Sequence, residues 1–450
     1  MRLSGRLAAA IEVLTEIEQR HQPAKRALSE WGRSNRFAGS SDRAAIGNLV
    51  YDCLRNKASL AHAMGLSLEA AEPGTDDEAS QTTATPRAIA LAAITALWGE
   101  DPKELAETFA TDRFAPAPIS EAELGQLQNL SSHLETEAPA EVKANMPLWL
   151  CEAMSESFGE RMAEEAKALA SRAPIDIRVN SLKASPEKLQ KALAKYNPES
   201  TALAPNCLRI APVTGPKKAP NIEAEAAHGK GWFEIQDEGS QIAALLTGAK
   251  PGLQILDYCA GSGGKTLALS ALTENKGQIH AYDSDKHRLR PIFERLKRAG
   301  CRNVQTVDAG DVAQLEPLKQ NMDITLVDAP CTGTGTWRRH PDAKWRLSQA
   351  ALETRLNEQQ DVLKQASAFV KPGGRLVYVT CSLLPAENNN QIKAFLEQNS
   401  NFKPVNYKEI WTQTIGGEPP ESADGDDTYL TLTPATHGTD GFFIAVLQRV

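Results

Sequence analysis

The sequence feature that most restricts the fold is the regular alternation of short apolar runs and helical segments after Gly231. Short apolar runs predict buried strands, and the longer amphipathic stretches between them predict helices. A helix between successive strands makes those strands parallel, with right-handed crossovers. We therefore predict an α/β domain with a doubly wound, mostly parallel sheet. The predicted strands are 254–259, 278–283, 304–308, 324–329, 375–381 and 442–448, and the predicted helices are 264–273, 286–299, 348–369 and 385–398.

The chain before Gly231 divides into two further regions. Apolar residues at helical spacing predict a mainly helical first region, interrupted by a polar loop over residues 71–86. After Pro147 a helix, a strand-like run, a second helix and a further short strand follow one another, which predicts a small α+β module. The predicted domains are residues 1–146, 147–228 and 229–450.

The net charge of −8 is unevenly distributed along the chain. Residues 1–65 contain 10 Lys and Arg against 6 Asp and Glu, a net of +4. Residues 66–145 contain 4 against 15, a net of −11, which we interpret as a solvated acidic surface. The negative total therefore does not exclude a nucleic-acid partner.

Cysteine usage and hydropathy indicate the compartment. The chain has seven cysteines with no Cys-x-x-Cys pair, which favours reduced thiols over a disulfide framework or a zinc site, so no metal is predicted. Glu12, Glu16 and Glu18 interrupt any apolar signal sequence, and the longest apolar stretch, 88–98, is too short to cross a bilayer. We expect a cytoplasmic protein with no membrane contact, and nothing in the sequence requires more than a monomer.

A glycine-rich turn follows the first predicted strand of the large domain, at the residues that should open a helix. Three interpretations compete. A Walker A loop needs glycine where the chain has Cys259, and a dinucleotide fingerprint needs a third glycine where the chain has Thr266. The third is a nucleoside cofactor without a pyrophosphate. Asp283, twenty residues after Gly263, is then placed to accept hydrogen bonds from ribose hydroxyls, and Asp308 suits an adenine amine.

Two cysteines and a carboxylate follow the last two parallel strands. Asp328 ends the fourth strand, Cys331 comes just after it, and Cys381 ends the fifth. Because neighbouring parallel strands end side by side, both thiols should face one cleft. A thiol is required for methylation of a pyrimidine carbon: its addition to C6 of cytosine makes C5 nucleophilic, while hydrogen bonding of N3, for which Asp328 is placed, helps that addition.

A basic, aromatic segment follows Cys331. Residues 337–346 contain two tryptophans and four Lys or Arg, with a single acid, Asp342. We interpret this segment as a loop that favours a polyanion. Trp337 and Trp345 are either core residues or surfaces on which RNA bases stack.

These motifs together resemble the nucleolar-protein/Sun (NSUN-type) family of RNA cytosine-C5 methyltransferases, and within it bacterial 16S ribosomal RNA methyltransferase B and its relatives. The likeness is nearly continuous over 229–450. It is carried by the runs Gly-Trp-Phe-Glu-Ile-Gln-Asp-Glu-Gly-Ser-Gln, Asp-Tyr-Cys-Ala-Gly-Ser-Gly-Gly-Lys-Thr, Asp-Ala-Pro-Cys-Thr-Gly-Thr-Gly, Arg-Arg-His-Pro-Asp-Ala-Lys-Trp, Tyr-Val-Thr-Cys-Ser-Leu-Leu-Pro-Ala-Glu-Asn and Asp-Gly-Phe-Phe-Ile-Ala.

The resemblance implies a Rossmann-like methyltransferase domain in which Cys381 is the nucleophile and Cys331 assists release of the methylated RNA. It also implies S-adenosylmethionine as the cofactor, and Lys265 is expected to orient the substrate base or Asp328. One departure from the family is Ser262, where most members have proline. The residues expected to bind the cofactor are Cys259, Ala260, Gly261, Ser262, Gly263, Gly264, Lys265, Asp283, Asp308 and Asp328.

The front half resembles the family more weakly. Residues 41–55 are similar to its all-α NusB-like RNA-binding domain, and residues 177–183 to its small RRM-like linking domain. The resemblance therefore implies an RNA substrate, with ribosomal RNA favoured over transfer RNA. Two rivals stay open at this point: a nucleotide-binding ATPase on the same sheet, and a non-catalytic RNA-binding or assembly factor.

Overall fold

A computed structural model of the chain describes residues 1–68, 83–134, 137–308 and 312–450. Most of the predicted polar loop at 71–86 and parts of the acidic stretch at 66–145 lie outside these residues. No helix in the described part of the chain is long and apolar enough to cross a membrane.

The described part of the first region is built from helices. Leu7, Ile46 and Leu91, from three different helices, are fully buried in one apolar core. Thr85 begins the helix that follows the undescribed segment, because its hydroxyl accepts from the N–H of Ala88 at 3.2 Å. The helices are α1 Leu3–Arg20, α2 Ala24–Ser34, α3 Ser40–Arg55, α4 Lys57–Ala63, α5 Pro86–Trp98, α6 Pro102–Thr111, α7 Glu121–Gln128, α8 Leu130–Leu134 and α9 Ala140–Ala144.

The second region is a small antiparallel sheet with helices, in the strand order β2-β3-β1-β4. Its last strand lies beyond residue 228 and pairs with β1, so the small sheet takes a strand from the start of the next predicted domain. The domain boundaries themselves stay a prediction. The elements are α10 Leu148–Phe158, α11 Met162–Leu169, β1 Ile175–Val179, α12 Pro186–Ala192, β2 Glu199–Ser200, β3 Cys207–Ile210, α13 Ala226–Gly229 and β4 Phe233–Ile235.

The third region has the predicted doubly wound sheet, which is confirmed. Eight strands of the described chain form it in the order β10-β12-β9-β8-β5-β6-β7, with β11 beside β12. The five strands from β9 to β7 are parallel to one another. Strand β12 pairs antiparallel with each of its neighbours, β9, β10 and β11. The elements are α14 Glu238–Leu245, β5 Gln254–Asp257, α15 Gly264–Leu272, β6 Gln278–Ala281, α16 Lys286–Leu289, α17 Ile292–Ala299, β7 Val304–Thr306, β8 Met322–Asp328, α18 Ala343–Arg346, α19 Gln349–Ser367, β9 Val370–Thr380, α20 Asn389–Gln398, β10 Phe402–Val405, α21 Tyr407–Thr414, β11 Leu430–Leu432, α22 Pro434–His437 and β12 Phe442–Arg449.

The structure corrects several predicted elements. The helix predicted over 286–299 is two helices, because Pro291 lacks the N–H that an uninterrupted helix would use. The helix predicted over 385–398 starts only at Asn389, after one 3-10 turn. The short strands β10 and β11 were not predicted; they pair with β12 at the antiparallel side of the sheet.

Two apolar layers cover the faces of the large sheet. Residues of α14 and α21 pack on one face and residues of α19 and α20 on the other. A further cluster joins the second region to the third: Leu150 and Met154 of α10 pack with Trp337 and Leu384, which lie in the loops after β8 and β9. The loops that carry the two cysteines of interest are therefore backed by packed side chains.

Candidate active site at the carboxyl edge of the sheet

The glycine turn connects β5 to α15, and its backbone accepts no larger residue at Gly263. This residue has φ +86°, and a Cβ atom there would lie 2.4 Å from Cγ1 of Ile292. The turn is fixed to the end of β6, because the N–H of Ala260 donates to the carbonyl of Tyr282 at 2.8 Å. The first turn of α15 therefore begins at the ligand-facing edge of the sheet.

Asp283 is held against this turn. It is buried, and its Oδ2 accepts from the N–H of Gly261 at 2.9 Å while its Oδ1 accepts from the N–H of Asp285 at the same distance. Each carboxylate oxygen can accept more than one hydrogen bond, so acceptor capacity is left for ribose hydroxyls. Asp308 is exposed and lies two residues beyond β7, next to the undescribed residues 309–311.

Ser262, the departure from the family pattern, is held by a residue that the sequence did not indicate. Nη1 of Arg295 donates to both the carbonyl and the hydroxyl of Ser262, each at 2.8 Å. The same guanidinium pairs with Glu234 of β4 at 3.0 Å. The small sheet and the glycine turn are thus connected through one arginine.

Asp257, the last residue of β5, is a second site residue that the sequence reasoning missed. Its side chain is fully buried; Oδ2 accepts from the hydroxyl of Thr266 at 2.7 Å, and Oδ1 has no hydrogen-bond partner among the described residues. Burial raises the pKa of this carboxyl to about 7. The available signal was its position, since it closes the strand that leads into the glycine turn.

Lys265 and Asp328 form an ion pair, with Nζ of the lysine 2.6 Å from Oδ2 of the aspartate. Lys265 is buried and its ammonium lies 5.4 Å from the ring centroid of Phe442, whereas the Asp328 side chain keeps 36 % of its surface exposed. The lysine comes from the first turn of α15 and the aspartate from the end of β8. The partly exposed carboxylate of Asp328 is therefore held on its buried side by the ammonium of Lys265.

The sulfurs of Cys331 and Cys381 lie 3.5 Å apart. The loops after β8 and β9 bring them together, and the N–H of Gly335 donates to the carbonyl of Cys381 at 2.9 Å, which joins the two loops. The hydrogen bond to Cys381 and burial raise the pKa of the Cys331 thiol well above its ordinary value. Both cysteines are partly exposed, so a ligand can reach them.

Cys259 lies in the glycine turn and is also a free thiol. Burial is the main cause that raises its pKa, with the neighbouring carboxylate of Asp257 adding to it. It is therefore a neutral thiol in the wall of the turn.

The interpretation of residues 337–346 as a loop that favours a polyanion is wrong. Arg338 and Arg339 both pair with Asp237 and with Asp440, and the two pairs with Asp237 measure 3.2 and 2.9 Å. Arg346 pairs with Asp342 at 2.8 Å. These cations are neutralised by acids of the same protein, so they are not available to phosphates.

The tryptophans of the segment are likewise core residues, not stacking surfaces. Trp337 is fully buried, and the indole N–H of Trp345 donates to the carbonyl of Leu54 in α3 at 2.7 Å. Nζ of Lys344 donates to the carbonyl of Arg55 at 3.0 Å. The segment is where the helical first region docks on the large domain.

Comparison with known proteins agrees with this architecture. The family described as 16S rRNA methyltransferase RsmB/F matches residues 244–448, and the ferredoxin-like domain of RsmF/B-like methyltransferases matches residues 146–214. A protein from Synechocystis named "Probable ribosomal RNA small subunit methyltransferase B" is 34% identical over 310 residues, which are 68% of this chain and 67% of that protein. Ribosomal RNA small subunit methyltransferase B from Citrobacter koseri is 32% identical over 334 residues, 72% of each chain.

The chain belongs to this methyltransferase family.

Solved structures of methyltransferases have a fold similar to that of this chain. The crystal structure of NSun6 from Pyrococcus horikoshii with SFG is 25% identical, covers 68% of this chain and 98% of its own, and has a TM-score of 0.59. A methyltransferase homologue from Pyrococcus horikoshii is 29% identical over 69% of this chain and 98% of its own, with a TM-score of 0.56. The cofactor of this Sun-type family is S-adenosylmethionine, and the residues of the glycine turn fit it. The turn offers a left-handed glycine at Gly261, a buried acid with acceptor capacity at Asp283 and an unpartnered carboxyl oxygen at Asp257.

Proposed function

We propose that this protein transfers a methyl group from S-adenosylmethionine to C5 of a cytosine in ribosomal RNA, through a covalent adduct between Cys381 and C6. The observation that carries the proposal is the placement of two thiol sulfurs 3.5 Å apart beside the Lys265–Asp328 ion pair. Methylation of an exocyclic amine needs no thiol, and an ATPase needs no pair of them. A thiol pair at the carboxyl ends of β8 and β9 suits addition to a pyrimidine ring and later elimination.

Cys381 is the nucleophile of the proposed reaction. Its sulfur adds to C6 of cytosine, the C5–C6 double bond is lost, and C5 becomes the nucleophile that takes the methyl group. The bound cofactor supplies that methyl group as an electrophile. A base must be unstacked to reach the two sulfurs, at a cost of a few kcal/mol unless it already lies in a loop.

Asp328 is the group that we propose to hydrogen-bond the Watson–Crick edge of the cytosine at N3. Its exposed carboxylate faces solvent at the end of β8, and Lys265 fixes its orientation from the buried side at 2.6 Å. N3 of neutral cytosine and an ionised carboxylate are both acceptors, so this hydrogen bond requires a proton taken up between them. The proton at N3 withdraws electrons from the ring and favours addition of the thiolate at C6. Loss of the lysine would leave the carboxylate free to rotate.

Cys331 is proposed to assist product release. After methyl transfer the C5 proton must be removed so that the C6–S bond can break and the ring double bond can re-form. The Cys331 sulfur lies 3.5 Å from the sulfur that is to leave, and its raised pKa makes it a neutral thiol before catalysis. It can therefore give its proton to the leaving sulfur of Cys381 and, as the thiolate so formed, accept the proton from C5, so that the ring double bond re-forms and both cysteines end as neutral thiols.

The cofactor is proposed to be held by Cys259, Ala260, Gly261, Ser262, Gly263, Gly264 and Lys265 of the turn, together with Asp283, Asp308 and Asp328. Asp283 is the residue best placed for the ribose, since its carboxylate already accepts from the backbone of the turn at Gly261. Asp308 is proposed to accept from the adenine amine.

The RNA contact is proposed to include a basic surface beside the cofactor turn. Five exposed cations on or next to α16 and α17 enter no ion pair within the described part of the chain, and Phe293 of α17 is 56 % exposed. Such a surface suits phosphates with an aromatic face among them. The cations are Lys286, Arg288, Arg290, Lys297 and Arg302.

The names of the relatives favour ribosomal over transfer RNA as the substrate. We further propose that the protein acts as a monomer in the cytoplasm, where its free cysteines stay reduced. The proposed working units are residues 1–146 and 147–228, which would contact RNA, and the methyltransferase domain at 229–450.

The decisive assay is methyl transfer to ribosomal RNA from a strain that lacks this gene. We expect a labelled methyl group from S-adenosylmethionine to appear at one cytosine, read by bisulfite sequencing, and not in RNA from the parent strain, whose site is already methylated. Transfer to a base other than cytosine, or no transfer to any RNA, would contradict the proposal. Binding of S-adenosylmethionine rather than ATP separates it from an ATPase.

Variants of the two cysteines test the proposed division of labour. Cys381→Ala should reduce kcat at least about a thousandfold, because the reaction loses its nucleophile. Cys331→Ala should accumulate a covalent RNA–protein species on a denaturing gel, since addition and methyl transfer remain possible but release is slowed. Normal release of methylated RNA by the Cys331 variant would show that these roles are wrong.

A further inference from the structure

A buried glutamate, Glu387, lies in the segment after β9 that also carries Cys381, and its carboxylate reaches the loop after β8. Its Oε1 accepts from the backbone N–H of Thr332 at 2.8 Å, and its Oε2 accepts from the hydroxyl of Thr332 at 2.5 Å and from the hydroxyl of Ser382. Nε2 of Gln359 donates to Oε1 at 2.9 Å. Thr332 follows Cys331 and Ser382 follows Cys381, so one carboxylate binds the residue after each cysteine.

The acceptor capacity of this carboxylate is fully used. A carboxylate offers about four lone-pair sites, and four donors occupy them here. All four donors are neutral, and no cation pairs with Glu387 within the described residues. Because a buried charge without a cation is costly, four hydrogen bonds are the means by which this position keeps an acid.

Other contacts join the two loops independently of Glu387. The N–H of Leu383 donates to the hydroxyl of Thr334 at 2.7 Å, and the N–H of Gly335 donates to the carbonyl of Cys381 at 2.9 Å. The loops should therefore remain folded when the carboxylate is altered. What depends on Glu387 is the relative position of residues 331 and 381.

We propose that Glu387 is a positioning residue for the methyl-transfer reaction: it fixes the loop after β8 relative to the loop after β9, so that the sulfurs of Cys331 and Cys381 stay together at the place where the target base is proposed to bind. This inference rests on the function proposed above. A shift of one loop by about 1 Å is enough to lower the rate of a positioned reaction on the order of a hundredfold.

The charge of Glu387 has a second effect, which is on the ionisation of the Cys331 thiol. Its carboxylate is among the causes that raise the pKa of the Cys331 thiol, after the hydrogen bond to Cys381 and burial. Two sulfurs 3.5 Å apart do not both ionise easily, because like charges repel. The negative charge of Glu387 therefore helps to keep Cys331 a neutral thiol.

The test compares Glu387→Gln and Glu387→Ala with the control Glu165→Gln. Glu165 is equally buried and accepts from two threonine hydroxyls, those of Thr433 at 2.9 Å and Thr436 at 3.1 Å. Unlike Glu387 it also pairs with a cation, Arg161, at 2.7 Å, and none of these partners lies in a cysteine loop. It reports the cost of neutralising a buried glutamate in general. The full-length protein is used throughout, and each variant is assayed for kcat and for S-adenosylmethionine affinity.

We expect kcat to fall about tenfold in Glu387→Gln and about a hundredfold in Glu387→Ala, with cofactor affinity within about twofold of the wild type. The pH midpoint for alkylation of Cys331 by iodoacetamide, followed by peptide mass spectrometry, should move to lower pH in Glu387→Gln and stay unchanged in Glu165→Gln. A purely structural role would not move this midpoint.

Two results would overturn the inference: an unchanged Cys331 alkylation profile in Glu387→Gln, or equal losses of kcat in Glu387→Gln and Glu165→Gln. Failure of the proposed function is a separate result. If the wild-type protein methylates no RNA, the alkylation profile of Cys331 still measures the effect of Glu387 on the protein alone.

Discussion

Lys344 gives the sharpest prediction about the docking of the helical region. It is buried, and its Nζ donates to the carbonyl of Arg55 at 3.0 Å. Burial, and next the nearby charge of Arg55, lower the pKa of Lys344 from its ordinary 10.5 to about 7. The buried site therefore disfavours the protonated form, and unfolding allows the lysine to take up a proton between pH 7 and 10.5.

The sign of the pH dependence follows from this proton uptake. Between pH 7 and 10.5 the unfolded chain binds more protons at this residue than the folded chain, so the free energy of unfolding rises with pH. Below pH 7 the lysine is protonated in both states and the full cost remains. A shift of this size is worth roughly 5 kcal/mol, at about 1.4 kcal/mol for each pKa unit.

Lys344→Met removes the titrating group and keeps the length of the side chain. It also leaves the carbonyl of Arg55 without this donor, which costs about 1–3 kcal/mol. We expect the variant to be more stable than the wild type by roughly 2 kcal/mol at pH 7. The advantage should fall by about 1.4 kcal/mol per pH unit, so it should vanish at about pH 8.5, and the wild type should be the more stable protein as the pH approaches 10.

Urea unfolding of both proteins at a series of pH values between 6 and 10 measures this difference, and titration of other groups cancels in it. The reasoning is refuted if the difference between the two proteins does not change with pH, or if Lys344→Met is the less stable protein at pH 7. Either result would mean that the lysine is solvated at the docking surface.

Two further predictions concern the cofactor turn. Gly263→Ala should abolish S-adenosylmethionine binding in a calorimetric titration while the helical region keeps its circular dichroism, because a Cβ atom would lie 2.4 Å from Ile292 at a backbone with φ +86°; tight binding by this variant would contradict it. For Asp257 the folded pKa of about 7 is above the ordinary 3.8, so the folded chain binds more protons between these values and stability should fall as pH rises from 4 to 7. Asp257→Asn should flatten this part of the urea-unfolding profile, and an unchanged slope would argue against a buried neutral acid.

The positions of the parallel strands along the chain were predictable, because strands covered on both faces are read as continuous apolar runs. Ile324 to Val327 is such a run, and it forms the centre of β8 beside β5 and β9. Asp328 and Cys331 could be identified for the same reason, because they follow the apolar run of β8. The pairing of neighbouring strands then brought Cys331 and Cys381 to one edge, where their sulfurs lie 3.5 Å apart.

Residues whose role depends on contacts between distant parts of the chain were harder to find from the sequence. Asp257 was counted within a strand, because an acid that follows Leu256 in sequence gives no sign that it is buried with one oxygen unpaired. Glu387 lies in a polar segment that predicts a helix start, and its four donors come from three separate segments of the chain. Local patterns identify strands, whereas such contacts are set by tertiary structure.

The error over residues 337–346 has the same physical origin and a consequence for mechanism. Arg338 and Arg339 were read as free cations because their acids, Asp237 and Asp440, lie about a hundred residues away on either side. Folding brings the four charges together in a largely buried cluster, where each ion is neutralised at short range. The segment that begins just after Cys331 is therefore rigidly joined to α14, to β12 and, through Trp345, to the helical region. The contacts of Trp345 and Lys344 with the end of α3 therefore connect the helical region to the same segment that follows Cys331 in the chain.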